Sequence, residues 1–330
     1  MSKKHILLSI LMIISGLIKA QTINYDFGIN YNPRVKQYWN IYNRVYLGNN
    51  YQPNTDTLNK CLLQMFSLIE PFNEDIALLS WTFHEKKQYS NATKYYYLAL
   101  SKGYLSYCKS TQPHYILNNT AISEYRPINL HFDSFKRHVN CDLNIPFCNL
   151  VLELFAIDQI TRNKDFFRKD SIMHADSGFY NRYLLFYDRQ NLKRLLEYID
   201  QFGIPHKNQL TNESYDAFKL LAHHLVQYID NNESKRLFNL IKHAIEDGRL
   251  NNRFLTAAID YMHWRNNCQY FGTVSQMNKD GKYELNPPLV DPANVDKRRA
   301  EWLLEPLEVQ MRNNYDSNYV LPPEYIKLKK

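Results

Sequence analysis

The sequence predicts a mainly α protein: a helical N-terminal part with a tetratricopeptide-like hairpin, then an α-helical domain carrying one small β-hairpin. Three observations predict it. Only 9 glycines and 13 prolines occur in 330 residues, too few for the many turns of an all-β chain. Apolar residues recur at helical spacing from Val35 to about Tyr104, and again from Leu150 onward. That period breaks over residues 269–285, where Asp280-Gly281 lies between strand-like runs and signals a hairpin. Hydrophobic residues make up 45% and charged residues 22%, the balance of a globular chain.

Taken in order, residues 1–20 read as a secretory signal. Lys3 and Lys4 form the charged start, Ile6 to Ile18 the apolar run, and Ala20 the small residue before a cut at Gln21. The run is shorter than the ~20 apolar residues that span a bilayer, and no later stretch is apolar enough. The expected mature protein is therefore exported, periplasmic or extracellular, with no transmembrane segment. The net charge is +7, and losing Lys3, Lys4 and Lys19 with the signal leaves +4. So small a charge on so long a chain argues against a nucleic-acid partner. Export also bears on Cys61, Cys108, Cys141, Cys148 and Cys268. Being odd in number, they cannot all pair within one chain, and only Cys141 and Cys148 are close enough in sequence to suggest a bridge.

Helices are expected around Val35–Leu47 and Leu58–Ile69, followed by a hairpin over residues 74–104. In that hairpin Ile76, Leu79, Ser80 and Phe83 share one face, and Ala92, Tyr96 and Ala99 share another. The small residues allow close approach, while Phe83 and Tyr96 fill the groove; the pattern is that of a tetratricopeptide unit without its closing proline. Residues 105–145 are irregular and read as a junction. The expected division is therefore a signal (1–20), a helical N-terminal region (21–140), a second domain (141–315) and a tail (316–330).

Helices resume over Leu150–Phe167, Tyr180–Phe202, Ser214–Tyr228, Lys235–Glu246 and Phe254–Trp264. Gly203 followed by Pro205 stops the second of these, and Gly248 the fourth. Asp291-Pro292 reads as the cap and first residue of a last helix, which carries Arg298 and Arg299.

The run Gln269-Tyr270-Phe271-Gly272-Thr273, then Asp291-Pro292, Val295-Asp296, Arg298-Arg299-Ala300-Glu301 and Pro306-Leu307, resembles the C-terminal signature of a bacterial family, domain of unknown function 6624. Asp158-Gln159-x-x-Arg162, Asp188, Asn191, Gly203 with Pro205, and His224 also fall where that family's pattern places such residues. The resemblance covers Leu150 to Leu307, about half the chain. It implies a fold neighbourhood and no reaction. Tyr261 stands where the pattern has Arg, and Val274 where it has Gln, which puts any family activity in doubt here.

The candidate constellation is Asp158, Gln159, Arg162, Asp188, His224, Asp260, Gln269, Arg298 and Arg299. His224 would exchange protons near neutral pH, with Asp158 or Asp260 orienting it. Arg162 and Arg298 would fork onto a carboxylate or phosphate, beside Gln159 and Gln269. The competing reading makes these residues ties between helices. Adjacent His223 and His224 point about 100° apart on a helix and are not a metal pair. The sequence lacks a zincin, nucleophile-elbow, P-loop or dinucleotide motif, and no cofactor is implied. Two function classes remain: an exported binding module for a peptide or small anion, and an extracytoplasmic enzyme of the hydrolase kind, working through His224 with an Asp and an Arg. Arg298 is further expected to reach a carboxylate among Asp158, Asp188 and Asp260, leaving Arg299 more exposed.

Overall fold

A computed structural model describes residues 25–46, 54–102, 143–163, 179–228, 231–264, 266–279, 281, 283–314 and 319–320. The expected signal, Cys108, Cys141, most of the junction at 105–145 and the end of the tail lie outside them. The described residues form eleven α-helices and one two-stranded antiparallel sheet. The mainly α class with a single β-hairpin is the architecture observed. None of these helices is long and apolar enough to cross a membrane.

The chain divides into two compact units. The larger takes Ile29–Leu255 with Trp302–Glu305; the smaller takes the chain through Gly28, Thr256–Glu301 and the chain from Pro306. These limits do not coincide with the expected boundary at residue 141. The physical reason lies around Asn208, far along the sequence from the first helices. Its side chain accepts from Asn73 N at 2.9 Å and donates to Pro71 O at 2.7 Å. Lys207 adds an ion pair with Glu74 and lies 4.9 Å over the Tyr215 ring.

In the larger unit, α1 (Pro33–Tyr46) starts on a proline, whose missing N–H a first helical turn tolerates. α2 (Thr55–Phe66) is capped by Asn54, which accepts from Thr57 N at 2.9 Å. α3 (Asn73–Glu85) and α4 (Tyr89–Ser101) form the expected two-helix hairpin. Ser80 Oγ donates to Ala92 O at 2.6 Å, a contact that only small residues at these positions permit. Phe83 stacks on Tyr95 with centroids 5.4 Å apart. The core beneath holds Tyr38, Trp39, Leu62, Met65, Phe72 and Leu79. Burying side chains of this size stabilises by about 1.5–3 kcal/mol each before chain entropy is subtracted.

α5 (Ile145–Arg162) is capped by Asn144, which accepts from Phe147 N at 3.1 Å, with Pro146 in the first turn. It packs between α6 (Phe179–Phe202) and α7 (Asn212–Val226), and Phe147 meets Phe218 edge-on at 5.2 Å. α6 stops where Gly203 takes φ +74°, as the Gly-x-Pro signal required. Thr211 caps α7 by accepting from Ser214 N at 3.1 Å. α8 (Asn232–Glu246) ends at Gly248, φ +77°, where a Cβ would come within 3.0 Å of Val35. Cys148 is a buried free thiol beside Ser214 Oγ at 3.2 Å, and Cys141, its expected partner, lies outside the described residues.

In the smaller unit, α9 (Thr256–Trp264) precedes β1 (Ser275–Met277) and β2 (Tyr283–Leu285), paired Ser275 to Leu285 and Met277 to Tyr283. α10 (Val295–Glu301) and α11 (Leu307–Asn314) follow, the latter unforeseen from sequence. Asp291 is not the cap of an α-helix. It precedes a 3-10 turn, Pro292–Asn294, and its carboxylate accepts from Asn294 Nδ2 at 2.8 Å, not from a helical N–H. Leu289, Val295, Leu307 and Met311 form the unit's core.

Candidate functional site

The sequence-derived candidates fall into two clusters, one in each unit. In the larger unit the i,i+4 spacing of Asp158 and Arg162 puts both at the end of α5. Arg162 Nε donates to Asp158 Oδ1 at 2.9 Å and its NH2 to Asp188 Oδ1, on α6, at 2.7 Å. His224, on α7, places Nδ1 2.9 Å from Asp158 Oδ2 and 3.0 Å from Asp158 Oδ1. Gln159 Nε2 also donates to Asp158 Oδ2 at 2.9 Å. Asp158 is wholly buried, whereas the side chains of Arg162 and His224 retain 21% and 16% exposure. This cluster is partly open.

The tautomer of His224 follows from its neighbours. Arg162 Nε lies 3.0 Å from His224 Nδ1, but a guanidinium nitrogen can only donate, and this one already faces Asp158. Were Nδ1 the acceptor, its lone pair would oppose both carboxylate oxygens. Nδ1 therefore carries the proton and donates to Asp158, leaving the lone pair on Nε2 uncommitted.

Burial pushes the Asp158 carboxyl upward, but His224 and Arg162 outweigh it and hold the group below the usual carboxylate range. Asp188 goes the other way: burial lifts it above that range despite Arg162. Burial also works against Arg162's charge, yet Asp188 and Asp158 hold that charge more firmly than usual. Beside His224, burial first, and then the neighbouring His224 and Arg162, press His223 down to about 4. In the smaller unit burial and Arg298 press His263 to about 4 as well.

These two histidines set an acid-stability window. A histidine whose folded pKa is depressed leaves the unfolded chain binding more protons between the folded and unfolded values. Stability should therefore fall as pH drops from about 6.5 towards 4, by at most about 3 kcal/mol for His223 alone. In urea melts at pH 6.5 and 4.5, His223→Gln should show a smaller pH difference than wild type. An undiminished difference would mean that His223 is not held neutral.

In the smaller unit the candidates are committed to the fold. Asp260, wholly buried, accepts from Tyr270 N (2.7 Å), Phe271 N (2.5 Å), Thr273 N (2.6 Å) and Thr273 Oγ1 (2.7 Å). Burial lifts its carboxyl above the ordinary range, opposed by those four donors. Gln269 is also fully buried: Nε2 donates to Val274 O at 2.8 Å and Pro287 O at 2.5 Å, and Oε1 accepts from Val274 N at 2.8 Å. Arg298 donates to Tyr270 O at 3.0 Å and Asp291 O at 2.9 Å and lies 4.8 Å over the Tyr270 ring. Its carboxylate partner is Asp291, at 3.5 Å, which corrects the expectation of Asp158, Asp188 or Asp260. Arg299 is not the exposed one of the pair. It is wholly buried and donates to Phe271 O at 2.8 Å and to Gln310 Oε1 at 2.7 Å.

Sequence reasoning missed a shallow recess beside Asp188, with room for about one water molecule, which reaches across α6, the end of α7 and the start of α8. Its polar residues Tyr228, Asn231 and Ser234 form no motif, so only the fold could gather them. Among the described residues no group of three or more His, Cys, Asp or Glu could hold a metal ion. No family model, curated protein or solved structure matches the chain.

Proposed function

We propose that the chain is an exported binding module that holds a small polar molecule or a peptide group at the cluster of Asp158, Arg162, Asp188 and His224. The observation carrying this reading is the difference in access between the two clusters. Arg162 and His224 keep 21% and 16% of their side-chain surface open, while Asp260, Gln269 and Arg299 keep none. Asp260, Gln269, Arg298 and Arg299 accordingly serve the fold. Export rests on residues 1–20, and kinship with family 6624 on the residues already quoted.

The test is a thermal-shift screen of polar metabolites and short peptides against the chain from Gln21. A ligand of the folded state at a hundredfold excess over its Kd adds about 2.7 kcal/mol, a Tm rise of roughly 5 °C. The rise should shrink in His224→Gln and Gln159→Ala. A screen without hits, or hits unaffected by both substitutions, would overturn the reading.

One observation favours a second reading, an extracytoplasmic hydrolase. Asp158 fixes the His224 proton on Nδ1 and leaves Nε2 available as a general base. Turnover of ester or amide substrates that disappears in His224→Gln, with binding retained, would select it.

A further inference from the structure

His206 lies between α6 and α7 as the cap of a single 3-10 turn, Lys207–Gln209. Its ring is the acceptor in that cap. Asn208 N donates to His206 Nδ1 at 3.1 Å, and His206 N donates to Gln209 Oε1 at 2.9 Å. An imidazole accepts at Nδ1 only while that nitrogen keeps its lone pair, so the proton of the neutral ring lies on Nε2. The ring stacks on Phe72, with centroids 5.6 Å apart and 25° between planes, and this packing holds Nδ1 in its direction.

What the cap holds in place belongs to a distant part of the sequence. Phe72, at the cap position of α3, makes no side-chain bond to the first turn of that helix. Asn208 serves instead. Its Oδ1 accepts from Asn73 N at 2.9 Å, and its Nδ2 donates to Pro71 O at 2.7 Å and to Glu70 Oε1 at 3.3 Å. Asn208 is wholly buried, so losing these bonds leaves buried groups unmet. The His206 ring fixes the backbone of Asn208, and through it the start of α3.

A second proton on the ring puts an N–H at Nδ1, facing the N–H of Asn208, so that two donors replace a donor and an acceptor. Burial works most strongly against that proton. Glu70, just before α3, favours it, while Lys102 after α4, Arg249 after α8 and Lys207 in the turn itself oppose it. Each of these cations has a carboxylate partner: Lys102 pairs with Glu70 at 3.1 Å, Lys207 with Glu74, and Arg249 with Asp247 at 3.3 Å. The balance keeps the ring neutral to a lower pH than an ordinary histidine. The unfolded chain, without that burial, takes the proton first, so the cap weakens as pH falls. An imidazolium drawn to Glu70 also competes with Asn208 Nδ2 for the same carboxylate.

We infer that His206 is an acid-sensitive latch on the α3–α4 hairpin: the neutral ring holds Asn208 as the cap of α3, and the protonated ring releases it. This does not rest on the ligand reading of the Asp158–His224 cluster.

The experiment is amide hydrogen exchange on the chain from Gln21, stepped from pH 7.5 down to the lowest pH at which Ile241 keeps its protection. Ile241 is wholly buried on α8 and reports loss of the fold as a whole. With rates corrected for the intrinsic pH dependence of exchange, the amides of Asn208 and Asn73 should lose protection about tenfold across that range. His206→Asn supplies a side-chain oxygen that caps without titrating, so both amides should stay protected at every pH. His206→Ala should leave both poorly protected at pH 7.5 already. If His206→Ala fails to fold, the comparison of wild type with His206→Asn decides alone. Protection at Asn208 and Asn73 that holds throughout the range overturns the inference, as does an equal loss in wild type and His206→Asn. So does a long-range proton–nitrogen NMR spectrum at pH 7.5 that places the His206 ring proton on Nδ1.

Discussion

Replacing Asp260 with asparagine is expected to destabilise the protein by about 3 kcal/mol, although the change alters one atom and no volume. Asp260 Oδ1 accepts from the backbone N–H groups of Tyr270 and Phe271, and Oδ2 from the N–H and hydroxyl of Thr273. All four donors point at carboxylate oxygens, so this geometry accommodates the ionised form. An amide keeps one oxygen and turns its NH2 towards the other pair of donors. Each buried donor left unmet loses about 1–3 kcal/mol, and bonds to a charged acceptor are the stronger kind. Thr273→Val, which removes only the hydroxyl, should lose about 1 kcal/mol. Guanidinium melts followed by far-UV circular dichroism rank the two variants. A loss below that of Thr273→Val for Asp260→Asn would show that the turn at 270–273 holds without the carboxylate.

Those same bonds explain what could be read from the sequence and what could not. Helix ends were legible because their signals are local: Gly203 with Pro205, and Gly248, carry the stop in the residues themselves. The hairpin was legible because its turn signal is local too, and Gly281, φ +75°, sits at the turn with its N–H on Asn278 O at 3.1 Å. Asp158 and Arg162 were legible as a pair because four residues of helix bring them together. Asp188 and His224 join them through packing of three helices, and only the family resemblance placed them in one constellation. Asp260 looked catalytic because its partners are backbone N–H groups, which every residue but proline has and no motif announces. The tie between the first four helices and the later ones runs through Asn208 and Lys207, more than 130 residues from their partners, beyond any local reading.

Arg299→Ala should be the more damaging of the two arginine deletions, by about 4 kcal/mol against about 2 kcal/mol for Arg298→Ala. Adjacent residues on a helix point about 100° apart, which suggested that one arginine would face solvent. Instead the two clamp consecutive carbonyls of one segment, Arg298 on Tyr270 O and Arg299 on Phe271 O, so both sides of α10 are covered. They differ in what truncation leaves behind. Arg298 lies at the rim, with 9% of its side chain exposed, and water can reach the carbonyls of Tyr270 and Asp291 once it is gone. Arg299 has no exposed surface, and its removal strands Phe271 O and Gln310 Oε1 inside a cavity the size of the lost side chain. Lysine should restore little at position 299, because one ammonium at the end of a flexible stem does not reproduce a planar fork bridging two acceptors. Denaturant melts of Arg298→Ala, Arg299→Ala and Arg299→Lys provide the ranking. If Arg298→Ala loses as much as Arg299→Ala, the difference in burial does not set the energetics of this clamp.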